Sequence, residues 1–143
     1  MSRIVQRLSF GALLLLSSIL FIPLTARAQT AGTKPIYRIE FKSGARTATV
    51  EGTVTQPAGE GDMHNPGSER YTLRVRGGQT LKLEITSDNN EAIFSLSTPD
   101  FEIVNDAAGV KRFYGRLQFS GDYYVTVFAR KSSSRFKLKV TLR

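Results

Sequence analysis

The feature that most constrains this chain is a succession of short runs in which apolar and polar residues alternate, each closed by a turn signal. The last run is the clearest: Phe136, Leu138, Val140 and Leu142 hold one parity, and Lys137, Lys139, Thr141 and Arg143 hold the other. A period of two belongs to a strand with one face in a core and one in water. "RYTLRVR" (70–76) sets Tyr71, Leu73 and Val75 on one face, and "QTLKLEITS" (79–87) does the same with Leu81, Leu83 and Ile85. "AIFSLSTP" (92–99) contributes Phe94 and Leu96. "IYRIEF" (36–41), "RTATVEGTVT" (46–55) and "YYVTVFAR" (123–130) read as strands, with "FEIVND" (101–106) and "VKRFYGRLQF" (110–119) as shorter ones. Between them, Gly77-Gly78 accepts the positive φ of a tight hairpin. Asp88-Asn89-Asn90-Glu91 and Ser120-Gly121-Asp122 supply further turns. No segment keeps a helical period, so the chain is expected to be all-β, a sandwich or barrel of eight or nine short strands.

The N-terminus follows another logic. Arg3 and Arg7 precede an apolar run from about Leu8 to Leu24, and Ala26-Arg27-Ala28 follows it. That is the layout of a secretory signal peptide, with cleavage expected after Ala28. An uncleaved anchor needs about 20 apolar residues. Pro23 and the small residues at 26 and 28 favour cleavage, which leaves no membrane span in the mature protein. The expected organisation is a signal peptide (1–28), a flexible leader (29–35) and one domain (36–143), secreted or periplasmic. Loss of Arg3, Arg7 and Arg27 lowers the formal charge from +8 to +5, since no acidic residue lies before Gln29. Mild basicity suits anionic partners such as envelope polymers. With no cysteine, the domain relies on its core rather than on disulfides.

The chemistry-bearing residues point away from catalysis. The one histidine, His64, sits in the polar stretch "QPAGEGDMHNPGSE" (56–69) beside Glu60, Asp62 and Ser68. A triad drawn from a single loop lacks the rigid support that catalytic geometry needs. Glu40, Glu51, Glu84 and Glu102 show no pairing of the kind glycoside chemistry uses. Zinc would have one histidine and no thiolate. Asp88 to Glu91 offers oxygens to calcium, but turns prefer the same residues. No enzyme activity, metal or cofactor is therefore expected. Arg112, Phe113, Tyr114 and Arg116 interleave bases with aromatics as single-strand binders do, but an exported chain seldom meets nucleic acid, and no such partner is expected. Arg74, Arg76, Lys137 and Lys139, with Lys82, lie on the polar parity of their strands. They would form a basic face if those strands adjoin, and otherwise serve as solvated charges that discourage edge pairing. Phe113 or Tyr114 is expected to fill core space, and Tyr124 to be an exposed aromatic.

From Tyr71 onward the sequence resembles the bacterial pre-peptidase C-terminal domain, over roughly residues 68–143. The likeness is carried by Tyr71, Gly78-Gln79-Thr80, Pro99-Asp100, Tyr114-Gly115-Arg116-Leu117 and Ser120-Gly121-Asp122-Tyr123. The family's usual Trp is absent, with Phe113-Tyr114 in its neighbourhood, and Gln118 stands where Pro is common. Stand-alone, signal-peptide-bearing relatives include the periplasmic inhibitors of g-type lysozyme. The resemblance implies an antiparallel, jelly-roll-like β-sandwich that acts as a non-catalytic binding module. It implies a protein partner, most concretely a g-type lysozyme, met through Ser120, Gly121, Tyr123 and, in the following turn, Arg130 and Lys131. The alternative is a cell-envelope or polysaccharide-binding module that uses the basic face.

Overall fold

Alternation settles which side of most runs turns inward, though Ile36–Arg38 stays exposed throughout, and the described residues form eight strands. They are β1 (Ile36–Arg38), β2 (Thr47–Val54), β3 (Glu69–Val75), β4 (Thr80–Ser87), β5 (Ala92–Ser97), β6 (Arg112–Arg116), β7 (Gly121–Ala129) and β8 (Ser134–Leu142). The structure is a computed structural model whose described residues are 34–55 and 67–143. The expected signal peptide, most of the leader, and His64 with Glu60 and Asp62 lie outside the described residues.

The strands form two four-stranded sheets, ordered β1-β3-β7-β5 and β2-β8-β4-β6. Below they are the β7 sheet and the β8 sheet. The β7 sheet turns Tyr71, Leu73, Val75, Phe94, Leu96, Tyr123, Val125 and Val127 inward. Leu81, Leu83, Ile85, Phe113, Phe136, Leu138 and Val140 of the β8 sheet belong to the same core. Each such side chain removed from water contributes roughly 1.5–3 kcal/mol, so this shared core holds the sandwich without disulfides. Burial, with the hydrogen bond Tyr71 donates to Glu69 (2.6 Å), pushes the Tyr71 phenol above the usual tyrosine range. It therefore stays a neutral donor at the end of the core.

Two features differ from the sequence expectation. First, β1 pairs parallel to β3, with Ile36 opposite Arg70, while every other strand pair is antiparallel. No hairpin links β1 and β3, because β2 in the other sheet comes between them along the chain. Antiparallel pairing is therefore not imposed on them. Second, residues 101–106 form no strand beyond a single bridge from Ile103 to Ser97. Phe101 and Asp106 adopt φ of 64° and 61°, which breaks an extended run.

The segment instead seals the outer edge of β5. Val104 N–H bonds Leu96 O, Leu96 N–H bonds Ala107 O, Thr98 N–H bonds Glu102 O, and Phe94 exchanges bonds with Val110. Phe113 fills core space as expected of one of the pair, while Tyr114 on the opposite parity turns outward.

Candidate functional site

The residues implied by the family resemblance do not converge. β7 separates them: Ser120, Gly121 and Tyr123 lie at its start, Arg130 and Lys131 just past its end. At about 3.3 Å per residue the two groups stand about 30 Å apart. They are two ends of the sandwich rather than one site, because an unbroken strand connects them.

The Arg130 end is a closed lattice. Asn89 donates from Nδ2 to Ser133 O (2.9 Å) and Ser132 Oγ (3.1 Å), and its Oδ1 accepts from Ser134 Oγ at 2.6 Å. Asp88 Oδ1 accepts from Asn89 N–H (2.9 Å), and Glu91 Oε2 from Lys131 N–H (3.1 Å). Arg130 N–H bonds Glu91 O at 3.0 Å. The oxygens considered for calcium are thus spent on holding one turn against another. Among the described residues no three His, Cys, Asp or Glu side chains come together as metal ligands. The Arg130 and Lys131 side chains project from this lattice, exposed to solvent.

The Ser120 end is built differently. Its backbone is tightly fixed: Gly77 N–H donates to Ser120 Oγ (2.8 Å), and Gly78 N–H to Leu117 O (2.7 Å). Gly121 has φ of 149°, and a Cβ there would lie 2.5 Å from Pro99 Cγ, so this turn admits only glycine. Tyr123 is buried, and its hydroxyl donates to Phe119 O at 3.1 Å. Ser120, Gly121 and Tyr123 therefore shape the turn. What they present is Phe119, whose ring is 64% exposed although its carbonyl is anchored.

At the same end of β7, Phe101 is 65% exposed and stacks on Tyr124 with ring centroids 4.7 Å apart. Tyr124 is half-buried under that ring, not free as the sequence suggested. A groove of about 600 Å³ opens here, lined by Glu102 to Asp106 on one side and Arg112 to Phe119 on the other. Tyr114, 76% exposed, stands among the lining residues.

The four basic candidates also divide. Arg74 lies on β3 in the β7 sheet, whereas Lys137 and Lys139 lie on β8 in the other. Arg74 is tied to Asp122 (3.5 Å), which Arg38 also approaches (3.4 Å), and Arg76 sits exposed just past β3. Lys137 pairs with Glu51 at 2.8 Å, and that hydrogen bond holds its ammonium above the usual lysine range. On β4, next to β8, Lys82 pairs with Glu84 at 3.1 Å. Lys139 has no ion pair among the described residues. The β8 sheet thus gathers Lys82, Lys137 and Lys139, and leaves Arg74 on the opposite sheet.

Sequence reasoning missed Phe119 and Phe101 and left Tyr114 undecided. For Tyr114 the signal was available: Arg112, Tyr114 and Arg116 share the charged parity of their strand, so Tyr114 had to face out. The other two depend on turn geometry that no periodicity records.

No protein-family model matches the chain, and no curated protein does. Solved structures do. The fold is similar to that of Aeromonas hydrophila PliG, a periplasmic lysozyme inhibitor of g-type lysozyme. The TM-score is 0.60 at 23% identity, over 76% of this chain and 96% of that one. Salmonella Typhimurium PliG, with the same described role, matches with a TM-score of 0.53 at 16% identity, over 74% and 96% of the two chains. The pre-peptidase C-terminal domain of a Bacillus anthracis collagenase matches with a TM-score of 0.52 at 12% identity, over 75% and 95%. The sandwich is therefore the one these inhibitors and this appended domain share.

Proposed function

We propose that the chain is an exported, non-catalytic binding module of the lysozyme-inhibitor type, acting in the periplasm through the Ser120 end of its sandwich. The observation that carries this reading is the pair of solvent-facing rings, Phe101 and Phe119, on a hydrogen-bonded scaffold at one end of an inhibitor-like fold. Exposed aromatics held rigidly are the residues that anchor protein interfaces, because they bury large area at little entropic cost. The reading also takes residues 1–28 as a signal peptide, 29–35 as a leader and 36–143 as the working domain. Among the described residues no helix is long and apolar enough to cross a membrane.

Net positive charge does not oppose a basic enzyme as partner at this end. Asp100, Glu102 and Asp106 lie in the 98–106 segment, which has no Lys or Arg, so one wall of the groove is acidic while Arg112 and Arg116 stand on the other. Local complementarity of this kind governs docking more than net charge does. The test is lysis of peptidoglycan by g-type, c-type and i-type lysozymes with the purified protein titrated in. Stoichiometric inhibition of one class supports the reading, and undiminished lysis by all three at high micromolar protein overturns it.

A second reading, an anionic envelope-polymer module, draws on the outer face of the β8 sheet, where Lys139, without an ion pair among the described residues, stands with Lys82 and Lys137. Binding of that kind fades steeply as salt rises, since the screening length is about 8 Å at physiological strength. A salt-insensitive polymer interaction would remove it.

A further inference from the structure

The two sheets end differently on the flank where β5 and β6 lie. The edge of β5 is sealed by the 102–110 segment, as described above. Among the described residues, β6 ends the β8 sheet and has β4 as its sole strand neighbour. Two bonds fix its alternation: Ile85 N–H bonds Lys111 O, and Leu117 N–H bonds Gln79 O. In an antiparallel pair, bonded and non-bonded positions alternate. Residues 111, 113, 115 and 117 therefore spend their backbone groups on β4. The N–H and C=O groups of Arg112, Tyr114 and Arg116 point the other way, along the free edge. That edge borders the groove of about 600 Å³ whose far wall is Glu102 to Asp106.

We propose that the free edge of β6 is a strand-docking site that takes an extended partner segment of the form acid–x–apolar–x–acid as a fifth strand of the β8 sheet. The pattern follows from register. An antiparallel strand bonded to the exposed groups of 112, 114 and 116 places its own side chains opposite theirs, with Cα atoms about 5.5 Å apart. Opposite charges in such cross-strand pairs stabilise and like charges repel. Carboxylates therefore meet Arg112 and Arg116, the latter with its Nε donating to Gly78 O (3.0 Å) and its remaining N–H groups open to a partner, and an apolar or aromatic residue meets Tyr114. The intervening residues point into the groove, over Ile103 and Leu117.

The same register disfavours a second copy of the chain. β6 against β6 in antiparallel fashion, centred on Tyr114, sets Arg112 of one copy against Arg116 of the other. Edge strands do use charge to refuse partners, and two arginines accomplish that against self. A third charge at 114 would serve that purpose better than a tyrosine 76% exposed. The aromatic between two charges marks a contact residue for a selected strand, which is the mode known as β-augmentation. This inference goes beyond the inhibitor reading and does not depend on it.

The test is a titration of the ¹⁵N-labelled protein with the capped peptide Ser-Glu-Val-Tyr-Val-Glu-Ser, read by amide shifts. The expected result is saturable shifts at 112–116 and along the groove, and binding about tenfold weaker when both Glu are Lys. Methylating the backbone nitrogen of the peptide's Tyr should abolish binding, whereas methylating that of either Val, which faces away from β6, should spare it. Arg112→Glu/Arg116→Glu, both exposed, should reverse the preference toward the Lys peptide. No binding at millimolar peptide, equal binding of both peptides, or indifference to the Tyr methyl would each overturn the proposal. None of these outcomes bears on lysozyme inhibition, which is read separately by peptidoglycan lysis.

Discussion

One strand, β7, joins two turns that solve opposite problems. At the Arg130 end, polar side chains are consumed internally: Asn89 alone joins the 132–134 segment through three hydrogen bonds, and Glu91 holds both Arg130 and Lys131 by their backbone. At the Ser120 end the backbone is fixed by equally specific contacts, but the side chains those contacts present are apolar and in water. Phe101 even holds φ of 64°, which costs a non-glycine residue roughly 1–2 kcal/mol. Asn90, at φ 63°, is the kind of residue that tolerates this region, whereas phenylalanine is not. A turn that keeps an exposed aromatic in an unfavourable conformation is organised around that ring. Hydrogen-bond density marks the end that stabilises the fold, and uncompensated exposure marks the end proposed to meet a partner.

The comparison can be broken by substitution, beginning with the largest effect. Gly121→Val forces a side chain into Pro99 at a φ that valine resists, and should cost about 3 kcal/mol in urea denaturation. A stable variant would mean that the Ser120 turn is not rigid. Asn89→Ala should cost about 1 kcal/mol by removing three hydrogen bonds that water only partly replaces, with partner binding unchanged. Weakened binding there would move the site to the Arg130 end. Tyr123→Phe should cost about 1 kcal/mol, since it frees the Phe119 carbonyl, and should also broaden the amide resonances of 119 and 120. Phe101→Gly should change stability least, within about 0.5 kcal/mol, because relief of backbone strain offsets loss of the ring stack. Its binding should nevertheless fall sharply. A strong destabilisation would show that the ring is held for packing and not for contact.

Much of the fold could be read from parity alone. Leu73, Leu81, Leu83, Leu96 and Leu138 stand buried where alternation put them, because a period of two leaves a strand no choice of face. The site was less legible. The Ser-Gly-Asp-Tyr motif led to the turn proposed as the site, but its residues shape that turn, and the exposed ring is Phe119 just before them. Arg130 and Lys131 follow closely in the chain, yet an intervening strand carries them to the far end. Phe101 could not be foreseen, since its exposure depends on a left-handed backbone that composition does not record. Nor could the separation of Arg74 from Lys137 and Lys139, because sheet membership is fixed by long-range pairing.

The central claim is that the two ends of β7 divide stability from binding. The most direct measurement compares two double variants, Phe101→Ala/Phe119→Ala and Arg130→Ala/Lys131→Ala, as inhibitors of a g-type lysozyme acting on peptidoglycan. Inhibition weakened more than about tenfold in the first and less than about twofold in the second is the expected result, since buried aromatic anchors outweigh rim charges. The reverse order, with the arginine and lysine pair decisive and the phenylalanines dispensable, would contradict it.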